Sequence, residues 1–299
     1  MNERVLVPLD GSETAEAILP QARRFLKCHE AEVILLQALP KYAPDFHFAV
    51  PGRREEVTAY IRKRAFELIQ DGIPAQGLVK HGNAASVILE TAEAERVSMI
   101  AMSTHGRTGL ERFVFGSVAE KVLRAGPVPI FLVRSFAKPG LSRGRLEELP
   151  LRNILVPLDG SPESARVISL VGNVARPLDS HVTLLHVVEA DPLAPHWPPL
   201  EKSLDEARKS LTDGCIPNRI EERQGDPATE ILRFCEENGS DLIMMGSHGR
   251  SGPSRWVLGS VTEKVLRAAP VPMIVARRPA ARPEEIAIPA EASASLPPM

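Results

Sequence analysis

Two short segments, each present twice, hold the residues best suited to chemistry. One is Asp10-Gly11-Ser12, which recurs as Asp159-Gly160-Ser161. Each copy follows an apolar stretch that ends in Pro8-Leu9 or Pro157-Leu158, so the carboxylate falls where a strand gives way to a turn. The other is Met245-Gly246-x-His248-Gly249-Arg250, after which Gly259-Ser260-Val261 follows, with nine residues between Gly249 and Gly259. Its counterpart is Met102-Ser103-x-His105-Gly106-Arg107, followed by Gly116-Ser117-Val118. Small residues let backbone approach a ligand closely, and the free N–H groups of a helix start attract anions. A triphosphate is the kind of ligand such a loop favours. Arg107 and Arg250 stand where they would meet phosphate or solvent. Asp10 and Asp159 either meet the ligand or organise the turn. His105 and His248 are the acid–base candidates. No carboxylate or nucleophile stands at a spacing that would orient them, which argues against turnover.

Absences narrow the class. No Gly-x-x-x-x-Gly-Lys-Ser/Thr occurs, which excludes a P-loop nucleotidase, and no Gly-x-Gly-x-x-Gly follows the first strand. The three cysteines, Cys28, Cys215 and Cys235, form no Cys-x-x-Cys pair. That count and spacing fit neither a disulfide framework nor a zinc site, and they suit a reducing cytoplasm. Cys28 and Cys235 fall in helical patterns and read as core residues. Lys+Arg of 36 against Asp+Glu of 38 leaves no basic excess for nucleic acid or an anionic membrane. The longest apolar runs, such as Val33–Leu36, are strand-length, far short of a membrane span.

The elements that must hold these loops are themselves repeated. The two Asp-Gly-Ser segments are offset by 149 residues and the two His-Gly-Arg segments by 143. Residues 99–134 and 242–277 share 21 of 36 identities, so the chain is a duplication, with a longer middle loop near Pro40–Arg53 in repeat one. The organisation reads as domains 1–135 and 151–278, a linker 136–150, and a disordered tail 279–299 rich in Ala, Pro, Glu and Ser. Apolar runs alternate with helical patterns. Strands are expected at Arg4–Leu9, Glu32–Leu39, Ala75–Lys80, Val97–Ser103 and Val128–Val133. In repeat two they fall at Asn153–Leu158, His181–Val188, Arg219–Gln224, Asp241–Gly246 and Val271–Ala276. Four helices lie between the strands of each repeat. The last opens with Ser117-x-x-Glu120 or Ser260-x-x-Glu263, which reads as a capping box; Lys121 and Lys264 then face solvent. The last strand, entered through Pro-Val-Pro, should lie at a sheet edge. Its apolar face needs cover, and the economical cover is the other repeat, giving an internal pseudo-dimer.

The loop Gly246-x-x-Gly249-(nine residues)-Gly259-Ser260 resembles the nucleotide motif of the universal stress protein family. So do the Val-Pro-Leu-Asp-Gly-Ser starts, the Gly225-Asp226-Pro227-Ala228 turn and the Pro-Val-Pro entry. The resemblance covers the chain twice, apart from linker and tail. It implies two Rossmann-like (adenine nucleotide alpha hydrolase-like) α/β domains, each a five-stranded parallel sheet of order 3-2-1-4-5 with helices on both faces. It also implies ATP, with Mg2+ as its companion, in each pocket. Pro157, Leu158 and Asp159 would then border the ribose and phosphates, and Val187 the adenine. Met245, Gly246, His248, Gly249 and Arg250 would line the ribose and phosphates, and Gly259, Ser260 and Val261 would receive the phosphates. In repeat one the corresponding residues are Pro8, Leu9, Asp10, Ala38, Ser103, His105, Gly106, Arg107, Gly116, Ser117 and Val118. Ser103 departs from the motif, standing where it has its first glycine. If that position needs positive φ, serine is strained there, and repeat two should bind more tightly.

The expected function is a cytoplasmic, ATP-binding regulatory or sensor module of the stress response, acting on a protein partner. A further homodimer is compatible with this reading. A slow ATPase or autophosphorylating protein is the alternative from the enzyme class. A nucleotide-free interaction or chaperone-like module is the other.

Overall fold

The computed structural model describes residues 3–40, 53–104, 116–134, 151–161, 167–189, 199–247 and 258–276. The expected linker 136–150, the tail 279–299 and most of the longer middle loop lie outside the described residues.

Repeat one contains β1 (Arg4–Pro8), α1 (Glu13–Glu16), α2 (Ile18–His29), β2 (Glu32–Leu39), α3 (Arg53–Gln70), β3 (Ala75–His81), α4 (Ala84–Ala94), β4 (Met99–Ser103), α5 (Ser117–Ala125) and β5 (Ile130–Val133). Repeat two contains β6 (Asn153–Pro157), α6 (Val167–Leu178), β7 (His181–Val188), α7 (Pro199–Asp213), β8 (Asn218–Gln224), α8 (Pro227–Glu237), β9 (Leu242–Gly246), α9 (Ser260–Ala268) and β10 (Met273–Ala276).

The strands form one sheet in the order β3-β2-β1-β4-β5-β10-β9-β6-β7-β8. Within each repeat all pairs are parallel. Parallel strands need apolar residues on both faces, because helices cover both. Val33, Ile34, Leu35 and Leu36 are accordingly all fully buried. Two apolar layers result, one on each side of the sheet, and each runs through both repeats.

The repeats meet where β5 and β10 pair antiparallel, through Leu132↔Met273, Phe131↔Ile274 and Ile130↔Val275. The edges that looked hazardous when bare thus cover one another. Phe131 is fully buried there, with its ring 5.6 Å from that of Phe25, and Arg134 Nη1 donates to the Ala269 carbonyl at 3.3 Å. Partial burial, which takes water from the charged form, holds the Arg134 guanidinium below its ordinary pKa.

Three expectations need correction. The first helix of repeat one is split at Ala17, so five helices stand in this repeat rather than four. The cause is Pro20, which has no N–H and whose ring crowds the carbonyl four residues earlier, on Glu16; a new helix starts with Pro20 in its first turn. Cys28 is exposed, whereas Cys235 is buried as expected. The last strands start at Ile130 and Met273, two residues later than expected.

Candidate functional site

The carboxyl ends of β1, β2 and β4, and of β6, β7 and β9, carry the repeated segments. At the first, the chain reverses through a glycine in the left-handed region, Gly11 at φ +82° and Gly160 at φ +81°. Asp10 Oδ1 accepts the Ser12 N–H at 2.9 Å and the Ser12 hydroxyl at 2.6 Å. Asp159 Oδ1 accepts the same groups of Ser161 at 3.0 and 2.6 Å. One carboxylate oxygen therefore organises the turn in both repeats. Ser12 in turn caps α1, its hydroxyl accepting the Ala15 N–H at 3.1 Å.

Pro8-Leu9 and Pro157-Leu158 enter these turns, and both leucines are buried. Their N–H groups donate to Leu36 and Leu185 carbonyls at 2.8 and 2.9 Å, which fixes the turns beside the second strands. Ala38 and Val187 stand one residue before the ends of those strands, half-buried and buried respectively. Beneath Val187 is a residue that the motif gave no reason to single out. His186 is buried, and its Nδ1 lies 3.0 Å from the Leu158 carbonyl oxygen. It braces the residue immediately before Asp159. A histidine inside the apolar run Leu184-Leu185-His186-Val187 was the available signal.

The third segment is described at its two ends; His105, Gly106, Arg107, His248, Gly249 and Arg250 lie outside the described residues. Met102 and Met245 are buried in the core on the face that carries α5 and α9. Ser103 and Gly246 end their strands in matched register, opposite Val133 and Ala276. Neither has positive φ. The strain expected of Ser103 is therefore absent, since an extended strand accepts serine freely.

Across the undescribed loop, the Gly116 N–H donates to the Thr104 carbonyl at 3.0 Å, and the Gly259 N–H to the Ser247 carbonyl at 2.9 Å. These bonds bring the starts of α5 and α9 back against the strand ends. The capping-box reading is also corrected here. Gly116 and Gly259 are the cap residues, with no side-chain cap, while Ser117 and Ser260 are the first helical residues. Glu120 and Glu263 reach forward, accepting from Arg124 Nε at 3.1 Å and Arg267 Nη2 at 2.6 Å, not back to the cap. Ser117 and Ser260 are exposed, and Lys121 and Lys264 are exposed as expected. A second residue missed from sequence is Thr262, buried, whose hydroxyl donates to the Gly246 carbonyl at 2.9 Å.

Each repeat thus brings a turn-organising aspartate, the end of the second strand and a helix start without a side-chain cap to one end of its sheet. Such a crevice beyond the strand ends is where open α/β sheets bind ligands. A helix start whose cap has no side chain can give its N–H groups to an anion. Among the described residues, no group of three or more His, Cys, Asp or Glu side chains is placed to hold a metal ion.

The comparisons with known proteins agree with this architecture. The profile of the Universal stress protein family matches residues 1–134 and again 150–277, so the chain belongs to that family, in tandem form. It is 30% identical over 141 residues to a universal stress protein of Methanocaldococcus jannaschii, covering 43% of this chain and 83% of the relative. It is 24% identical over 296 residues to one of Mycolicibacterium smegmatis, covering 91% and 96%. The crystal structure of a universal stress protein from Archaeoglobus fulgidus is similar in fold, with a TM-score of 0.75, 24% identity, and coverage of 92% of this chain and 98% of that one. No helix among the described residues is long and apolar enough to cross a membrane.

Proposed function

We propose that each repeat binds an adenine nucleotide at the carboxyl end of its sheet, and that the chain acts as a regulatory or sensor module of the stress response. The observation that carries this is the repeated helix start: Gly116 and Gly259 cap α5 and α9 without a side chain and are bonded back to the strand ends. Phosphates would fit there, against helix-start N–H groups that the cap residue itself does not engage with a side chain. Val187 and Ala38 would border the base, Asp159 and Asp10 the ribose side, and His248, Gly249 and Arg250 (with His105, Gly106 and Arg107) the loop closing over the phosphates. ATP would supply its own charge and, with Mg2+, its own metal; the protein would supply position.

Binding rather than turnover is the favoured reading, because one carboxylate oxygen of each turn aspartate already holds a backbone N–H and a serine hydroxyl. Occupancy would order the loop and change the surface offered to a protein partner. The cytoplasm is the proposed setting, supported by three free thiols. Mass spectrometry of ligand released from the denatured, freshly purified protein tests the ligand, and calorimetry of Gly259→Leu tests the site. A leucine side chain at the cap would fill the space the phosphates need, so ATP binding to repeat two should be lost with the fold intact. Unchanged binding in a folded variant would place the nucleotide elsewhere.

A further inference from the structure

Helix α3 carries an outer face that its counterpart in repeat two lacks. Ile61 and Leu68 bury its inner face as Leu204 and Leu211 bury that of α7. A residue of positive φ follows each helix, Gly72 and Cys215. Each of these pairs is 143 residues apart, which sets the alignment of the two helices. Phe66 and Ile69 are 59% and 49% exposed on α3, whereas their equivalents on α7 are the polar Lys209 and Thr212. The inner side of α3 is fixed in place. Tyr60 Oη and Arg64 Nη2 both donate to Glu16 Oε1, at 2.8 and 2.9 Å.

The charges of the outer face follow a pattern. Glu55 and Glu56 precede Ala59 by four and three residues, and Arg62 and Lys63 follow it by three and four. All five side chains are exposed. Acid and base lie seven residues apart, about 10 Å along the axis at 1.5 Å per residue. That exceeds the three- or four-residue spacing at which side chains of one helix pair. Among the described residues, no ion pair or side-chain hydrogen bond engages any of the four. On α7 the equivalent charges are matched within the helix: Lys202 lies 3.8 Å from Glu206, and Asp205 precedes Lys209 by four residues. Acids in the first turn of α3 suit the helix dipole. That accounts for neither the free bases nor the bare phenylalanine.

We infer that α3 is the contact through which two copies of the chain form a dimer, the two helices antiparallel about a two-fold axis at Ala59. Turning the pattern end for end about Ala59 lays Glu55 and Glu56 of each copy against Arg62 and Lys63 of the other. The small side chain at the axis lets the helices come close. Phe66 lies about 10 Å from the axis, level with the start of the other copy's α3 at about 9 Å. Each end of the contact therefore covers an aromatic ring. Both copies use the same single surface, so the assembly closes at two chains. One helix pair is a small interface, of the size of weak and transient contacts.

Sedimentation velocity of the full chain over a concentration series tests this. A reversible monomer–dimer equilibrium is expected, weakened several-fold as salt rises from about 0.05 to 0.5 M. Arg62→Glu with Lys63→Glu should abolish the dimer, and so should Glu55→Lys with Glu56→Lys. Mixing these two reversed variants should restore a one-to-one heterodimer, because acid again faces base at all four positions. Phe66→Ser should weaken the wild-type and the mixed dimer alike. Circular dichroism checks that each variant, altered only at exposed positions, stays folded. A wild type that remains monomeric, a dimer that survives either reversal, a mixture that stays monomeric, or growth beyond two copies would each overturn the assignment.

Discussion

The Thr262 hydroxyl donates to the Gly246 carbonyl at 2.9 Å, which ties the first turn of α9 to the last residue of β9. The bond is buried and spans the two ends of the undescribed loop. Repeat one has Ala119 at the equivalent place, buried but with no hydroxyl. Thr262→Val keeps the shape and removes the donor. Leaving a buried carbonyl unpaired costs roughly 1–3 kcal/mol, so chemical denaturation should show a loss of that order. ATP affinity of repeat two should fall with it, because the helix start is held less firmly.

The two pockets are expected to differ in affinity, but the reason is not backbone strain. Ser103 sits in an ordinary strand conformation. Ser103→Gly should therefore lower stability by about 0.5–1 kcal/mol, through the entropy of glycine in a strand. Titration of ATP into the wild type should resolve a tighter site in repeat two. If the sites are equal and Ser103→Gly stabilises the chain, both statements fail.

The seam predicts the behaviour of half-chains. Phe131 and Ile274 face each other across it and are fully buried. Each repeat expressed alone should homodimerise or aggregate through its last strand. Phe131→Ala in the whole chain should cost about 3–5 kcal/mol. Two monomeric halves in sedimentation experiments would contradict this.

Asp226 caps α8, and it sets a small acid dependence. Its carboxylate accepts the Thr229 hydroxyl at 2.7 Å and the Thr229 N–H at 3.0 Å. Those bonds, the hydroxyl first, and then the Lys264 ammonium hold it below the ordinary carboxylate range. A depressed carboxylate stabilises fully above its unfolded pKa, near 3.9, and the contribution is lost as pH falls through the folded value. The side chain is half exposed, so solvent screens the effect. Asp226→Asn keeps the cap acceptor. The stability gap between wild type and variant should narrow as pH drops below about 4.

Much of the fold was legible because buried parallel strands must be apolar on both faces, which the runs Val33–Leu36 and Ile130–Val133 announce. The duplication doubled every signal. The helix starts were misread because Ser-x-x-Glu fits a capping box one residue out of register, and only the Glu120–Arg124 and Glu263–Arg267 pairs show which way the acids turn. The split at Ala17 follows from Pro20, visible in the sequence but embedded in a helical pattern. His186 and Thr262 act through contacts 28 and 16 residues away in the chain, and no local pattern announces such pairs. Asp10 and Asp159 were legible as to position, and their turn-holding oxygen is a local contact that the Asp-Gly-Ser order implies.

The antiparallel seam between β5 and β10 has a geometric corollary. All strands of a repeat run one way and those of the other repeat run the opposite way, so the two crevices open toward opposite poles of the molecule. A single ligand cannot bridge them, and coupling through the sheet would cross the four strands β4, β5, β10 and β9 that lie between them. Covalent tethering also makes the pairing independent of protein concentration. Neither half is then bound to mirror the other, and one half can hold a serine and an alanine (Ser103, Ala119) at positions where the other holds a glycine and a threonine (Gly246, Thr262).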